Sequence, residues 1–331
     1  MDLDAFVAVH SAEWLRLEQL SRRRRLSGEE VDELVTLYQR AATHLSVIRT
    51  GDTDPALAAR LSSTVASARS AIAGGHEPFW RELTRLFLVS FPAAVYRSRR
   101  WSIGSAVASL VVAAVVGFWV ASDPDALAAL GTDAQLRQYA EIDFEHYYSE
   151  FAATSFAARV WTNNAWIAAQ CVAFGITGVL VVYVLFVNAV GLGQVAGLMA
   201  AYDRLDLFFA LILPHGLLEL TAVFVAAGAG LKLFWAWIDP GPRSRGRALA
   251  EEGRAMMTVA LGLVVVLGVS GVIEAFVTPS PLSTWARIGI GVLAWGSFLG
   301  YVIVFGRRAA RAGETGDMRR ELTGDVAPVA G

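Results

Sequence analysis

Residues 101–122, WSIGSAVASLVVAAVVGFWVAS, hold 22 consecutive positions without a charged side chain. As a helix rising ~1.5 Å per residue they extend about 33 Å, enough to cross the ~30 Å hydrocarbon layer of a bilayer. A helix of this length on a water-soluble fold needs a polar stripe to face solvent, and this one has only scattered serines. Residues 160–202 repeat the signal over 43 uncharged positions. The 331-residue chain is 55% hydrophobic and only 18% charged, with a mean hydropathy of +0.48, too apolar for an ordinary aqueous globule. Residues 1–100, by contrast, carry 14 Arg and 12 Asp or Glu. Two environments are implied, and the expected fold class is all-α: a polytopic membrane helix bundle of five or six spans preceded by a cytosolic helical domain.

Within the charged part, residues 4–21 place Phe6, Val9, Trp14, Leu17 and Leu20 at helical spacing, closed by a solvated cluster at Arg22 to Arg25. Ser27 and Glu30 have the spacing of a capping box, in which hydroxyl and carboxylate satisfy orphan amides at a helix start. Val31, Leu34, Leu37, Tyr38, Ala41 and Leu45 follow as an apolar face. Asp54 and Pro55 open a third helix that runs to Gly74 and Gly75. Residues 78–100 alternate Phe79, Trp80, Leu83, Phe87 and Phe91 with Arg81, Arg85, Arg97 and Arg99. That pattern predicts an interfacial amphipathic helix leading into the bilayer, with a fourth helix of the soluble bundle as the open alternative. The start, Met1-Asp-Leu-Asp, lacks the basic-then-apolar pattern of a signal peptide, so residues 1–100 are expected in the cytosol.

The remaining spans are predicted at 162–187, 214–237, 256–276 and 287–306, with a disordered cytosolic tail at 307–331. Residues 123–160, with seven acids and two arginines, read as an external loop, while Arg243, Arg245, Arg247 and Arg254, and then Arg307, Arg308 and Arg311, read as cytosolic. An odd number of crossings must then separate Arg159 from Arg243, yet only two long apolar helices are evident between them. The expectation is therefore a broken or re-entrant element at 188–213, with Pro214 and Gly216 marking the helix break. Non-helical backbone at membrane depth survives only in protein or beside a cavity, so a site is expected here.

Six polar side chains lie where lipid would not tolerate them: Asn163, Asn164, Asn188, His215, Glu219 and Glu274. A carboxylic residue at mid-bilayer costs on the order of 3 kcal/mol, so these should face the bundle interior. His215 and Glu219 are one helical turn apart, and a helix starting at Pro214 would aim its free amides toward Glu219 or an anion. The cluster is either a working site or interhelical glue. Small residues at Gly193 and Gly197, Gly228 and Gly230, and Gly296 and Gly300 suggest close helix packing. Cys171 alone precludes an internal disulfide or a cysteine metal cluster. No P-loop, dinucleotide fingerprint, nucleophile elbow or zinc-protease motif is present, so no catalytic residue, metal or cofactor is expected. A net charge of −2 without a basic stripe argues against nucleic acid.

The block from Leu213 through Pro214, His215, Gly216 and Glu219 to Leu220, followed by Ala226 to Leu231, resembles the Pro-His-Gly-x-x-Glu-Leu and Gly-x-Gly-Leu stretch of the stage II sporulation protein M family. Asn163 and Asn164, the Asn188 segment, Val272 to Pro279, and the N-terminal Trp14 and Leu37 segments are similar to further family signatures, so the likeness spans most of residues 5–306. Ala189 departs from it where a glycine would follow the asparagine. The resemblance implies a multi-spanning bacterial or archaeal plasma-membrane protein, and the arginine pattern puts both termini in the cytosol. In endospore formers, such a protein works with peptidoglycan-degrading partners during engulfment. The expected role is a non-enzymatic scaffold in cell-envelope remodelling, with a transporter or channel component as alternative and an intramembrane hydrolase as a third. Expected partners are the lipid bilayer and membrane or cell-envelope proteins, with homo-oligomerisation left open.

Overall fold

The computed structural model describes residues 3–23, 26–50, 55–72, 79–146 and 153–317. Among these the regular structure is helical, and the chain divides into two compact units, Met1–Glu82 and Leu83–Gly331.

The first unit contains α1 (Leu3–Ser21), α2 (Gly28–Thr50) and α3 (Pro55–Ile72). Leu17 and Leu20 of α1, Leu34, Ala41 and Ile48 of α2, and Leu61 and Ala68 of α3 close on one another as its core. These are the residues the 3.6-residue period brings to one face of each helix. The capping box forms as expected: the Glu30 amide donates to Ser27 Oγ at 3.3 Å and the Ser27 amide to Glu30 Oε2 at 2.9 Å. Arg16 of α1 grips Glu33 of α2 through two hydrogen bonds of 2.9 and 2.7 Å. Arg22 pairs with Glu18 and Arg23 with Glu30, whereas Arg24, Arg25, Asp54 and residues 73–78 lie outside the described residues.

Among the described residues five helices are long and apolar enough to cross a membrane: α4 (Trp80–Ser122), α8 (Val179–Ala201), α9 (Leu205–Ile238), α10 (Arg245–Val277) and α11 (Thr284–Arg311). Between α4 and α8 come α5 (Pro124–Ala128), α6 (Asp133–Gln138) with the π turn Tyr139–Asp143 and the α turn Phe144–His146 that continue it, and then α7 (Ala153–Ala173). The most apolar windows of α9 and α10 are 56% buried, those of α4 and α11 only 17%. The first pair therefore forms the centre of the bundle and the second its rim. On the rim Ile103, Val107, Val111, Val115 and Phe118 of α4, and Trp285, Leu293 and Val304 of α11, are exposed. An apolar belt of that extent in water would aggregate, and in a bilayer it is the solvated surface.

Several boundaries differ from those expected. Residues 83–100 are not an interfacial helix: Phe91, Ala93, Ala94 and Val95 are buried within the bundle. Phe91 packs on Phe298 and Tyr301, and occupies the space a side chain at Gly262 would need. The expected span 162–187 is two helices, α7 and α8, joined by a tight turn. Gly178 adopts φ +63° there, and a Cβ on it would lie 2.5 Å from the Phe234 ring. The expected broken element 188–213 is interrupted once, near its centre at Tyr202–Arg204, and α8 runs unbroken through Asn188 to Ala201. The chain turns at Asp203, φ +57°, where the Arg204 amide caps the Met199 carbonyl at 2.7 Å. Nor is there a break at Pro214 and Gly216, because α9 passes straight through both. A proline within a membrane helix is tolerated when neighbours enclose the backbone, and here Gly291 of α11 lies so close that a Cβ would be 2.2 Å from the Pro214 carbonyl oxygen. No helix start at Pro214 therefore directs amides at Glu219.

The expected external loop 123–160 contains α5, α6 and the start of α7, with Asp123 capping α5 by accepting from the Asp125 amide at 2.9 Å. The tail expected from 307 is ordered as far as 317: α11 continues to Arg311, and Asp317 is held by Arg254 at 2.6 Å. Residues 147–152 and 318–331 are outside the described residues. Glu252, buried on α10, meets Lys232 of α9 at 2.7 Å, Arg243 at 3.4 Å and Arg97 of α4 at 3.8 Å. Arg243 is shared with Glu251, 2.7 Å away, so two carboxylates face three cations at one end of the bundle.

Candidate functional site

α9 sets His215 and Glu219 one turn apart, so both side chains leave the same face toward α10. α10 answers with Glu274, which sits in a π turn, Ile273–Val277, that widens the end of that helix. Such turns insert an extra residue and commonly accompany functional sites, because they re-aim the side chains around them. His215 Nε2 lies 3.6 Å from Glu274 Oε1, and its Nδ1 lies 3.3 Å from Thr278 Oγ1 at the far end of the same turn. Ser270 anchors the backbone by donating to the His215 carbonyl at 2.9 Å. His215, Glu219 and Glu274 are 3%, 5% and 1% exposed, so water does not solvate them directly.

From α7, Asn164 Nδ2 donates to Glu219 Oε2 at 2.8 Å. Among the described residues, Glu219 Oε1 and Glu274 Oε2 have no hydrogen-bond partner. One ligand atom from each of His215, Glu219 and Glu274 lies within 4.8 Å of the others. Two carboxylates and an imidazole buried this closely form a socket for positive charge. A proton or a small cation between them would offset the desolvation cost that each carboxylate carries. The Thr278 contact on Nδ1 fixes the ring, leaving Nε2 toward the carboxylates.

Beside this socket lies a cavity of about 850 Å³ lined by Asn163, Asn164, Asn188, Ser109, Tyr139 and His146, among apolar neighbours. The six polar residues picked out by sequence thus fall into two groups. His215, Glu219 and Glu274 converge, Asn164 joins them by its hydrogen bond, and Asn163 and Asn188 face the cavity. Asn188 also donates back to the Val184 carbonyl at 2.8 Å within its own helix. Thr278 and Ser270 were not singled out by sequence; the Glu274 to Thr278 interval of four residues was the available signal for the first.

Of the expected packing glycines, Gly193 and Gly197 meet α4: a Cβ on either would be 2.5 Å from the carbonyl oxygen of Ala113 or Gly117. Gly228 abuts Ser102 of α4, and Gly230 the Cys171 carbonyl of α7. Gly296 and Gly300 are different, since nothing lies within 4 Å of a Cβ at either. They sit on the outer side of α11 and pack no helix among the described residues.

A sequence model of the stage II sporulation protein M family matches residues 106–279, over half the chain and including the whole of the buried cluster. The chain belongs to the stage II sporulation protein M family. A second model, for a domain of unknown function (DUF8413), matches residues 4–74. No curated protein and no solved structure matches. Family membership together with the five apolar helices makes the chain an integral membrane protein. Within this stage II sporulation protein M family member, the matched segment runs from the first span to Pro279 and takes in every helix that supplies a group to the cluster.

Proposed function

We propose that the second unit is a transport or ligand-binding component with a cation-dependent intramembrane site. The observation that carries this reading is the convergence of His215, Glu219 and Glu274 with two carboxylate oxygens left without partners, beside a cavity lined by three asparagines. Packing glue would pair its buried polar atoms with each other, since an unmet group costs about 1–3 kcal/mol. The topology that fits has six crossings, counting the 21-residue α7, with both termini cytosolic in a bacterial or archaeal plasma membrane. Three helices, α7, α8 and α9, then supply the odd number of crossings that the arginine pattern demands.

The test is flux in sealed proteoliposomes under a clamped potential, with an internal pH dye and, separately, a divalent-cation dye as readouts. Wild type is expected to pass one of these ions, and Glu219→Gln to abolish or strongly reduce that flux with expression and helix content unchanged. Equal flux in both, or none in either, would remove the reading.

A second reading has its own support. The self-contained helical unit of residues 1–82 suits a docking module, as in a non-enzymatic scaffold for cell-envelope proteins. Affinity capture from membranes should then return envelope partners that are lost when residues 1–72 are deleted.

A further inference from the structure

We propose that His10, Glu13 and His44 form a binding site for a divalent first-row transition-metal ion, of which Zn²⁺ is the type case, on the N-terminal helical unit. His10 and Glu13 are three residues apart on α1 and so project from one face, while His44 reaches them from α2. One ligand atom from each lies within 4.8 Å of the others. His10 Nδ1 is 3.7 Å from Glu13 Oε2, and the two imidazole rings have centroids 4.0 Å apart. Two histidines and one glutamate are the ligand set of mononuclear zinc sites that keep a fourth position open. His10 and Glu13 side chains are 26% and 30% exposed, which leaves that position room for water. The two imidazoles disfavour Mg²⁺ and Ca²⁺, which take oxygen ligands.

A second observation points the same way. Glu13 Oε2, the oxygen turned toward His10, is buried and has no hydrogen-bond partner among the described residues. The other oxygen accepts from Arg40 Nη1 at 2.9 Å, which holds the carboxylate in place in the manner of an outer-shell group. Phe6 packs on both rings, 4.5 Å from His10 and 5.3 Å from His44 between centroids, and restricts their rotation. One contact opposes the ion. Trp14 Nε1 donates to His44 Nδ1 at 3.2 Å, so a neutral His44 carries its proton on Nε2. An ion taking Nδ1 must displace the indole, and an ion taking Nε2 must move the ring proton to the nitrogen the indole faces. Either way, removing the indole N–H should help.

The experiment uses the full chain in detergent, with Co²⁺ as the probe for its visible ligand-field absorption and Zn²⁺ as competitor. One Co²⁺ per chain is expected, displaced by Zn²⁺. His10→Ala, His44→Ala and Glu13→Gln should each weaken it by at least about tenfold, the lower end of what outer-shell losses already cost. Trp14→Phe should bind as tightly or more tightly. Glu13→Gln guards against a misfolded variant, because it removes a ligand at a half-exposed position and no core side chain. Failure of both wild type and Trp14→Phe to bind Co²⁺ overturns the proposal. So does binding that survives the His10 and His44 substitutions, and so does binding lost with His215→Ala instead, which would assign the ion to the membrane cluster.

Discussion

At the scale of single residues, the buried polar groups are the most consequential feature of this chain, because each is either matched or expensive. Asn164 is matched: its amide supplies the hydrogen bond that Glu219 receives from α7. Asn164→Leu should therefore destabilise the detergent-solubilised protein by about 1–3 kcal/mol, the cost of an unmet buried acceptor. Asn163→Leu, an exposed position on the same helix, should leave the melting temperature nearly unchanged, and equal losses would refute the assignment. Glu252 presents the same logic with charge. It is the buried counterion of Lys232, Arg97 and Arg243, so Glu252→Gln should cost about 3–5 kcal/mol, as expected when one partner of a buried pair is removed. Thermal unfolding in detergent measures it, and a loss below 1 kcal/mol, in the range of exposed pairs, would contradict the account. Much of this scale was legible in the sequence. An ionisable residue in an apolar run must face protein, and a spacing of four put His215 beside Glu219. The partners were less legible: Thr278 lies just past the apolar run expected at 256–276, and the His10, Glu13 and His44 group joins residues about thirty apart, a relation no local period encodes.

At the scale of elements, hydropathy found the apolar runs but not all of their joints. The turn between α7 and α8 lies inside 43 uncharged residues, where no charge marks the membrane surface and only Gly175 and Gly178 signal a reversal. Pro214 misled in the opposite direction. Its ring suggests a helix start, yet the surrounding helices carry α9 through it, with Gly291 allowing the close approach. The packing glycines divide cleanly and give a paired test. Gly197→Ala would press a Cβ to within 2.5 Å of a backbone oxygen on α4, which no rotamer change relieves. A loss of about 1–3 kcal/mol is expected from such overpacking. Gly300→Ala faces open space and should be neutral or slightly stabilising, since alanine favours helix. Equal tolerance of both substitutions would mean that α4 and α8 do not meet as described.

At the scale of the whole molecule, the division between a charged helical unit and an apolar bundle was evident from composition alone, because lipid and water select opposite surfaces. The number of crossings was not, since parity depended on whether one stretch held one helix or two. The proposed six crossings would place Asp133 outside the cell and Arg308 inside. A cysteine introduced at Asp133 should react with an impermeant maleimide on intact cells, and one at Arg308 only after permeabilisation. Cys171 is buried and gives a low background. The reverse pattern, or labelling of both from outside, would disprove the six-crossing topology.

The widened turn at Ile273–Val277 holds one residue more than an α-helical turn would. Excising a single amino acid there would let ordinary winding resume with both flanks keeping their faces, whereas the same excision from the regular winding before it would swing everything downstream by about 100° around the axis. Reading-frame-preserving loss of one codon should therefore be better tolerated within residues 273–277 than in the regular helix that precedes them.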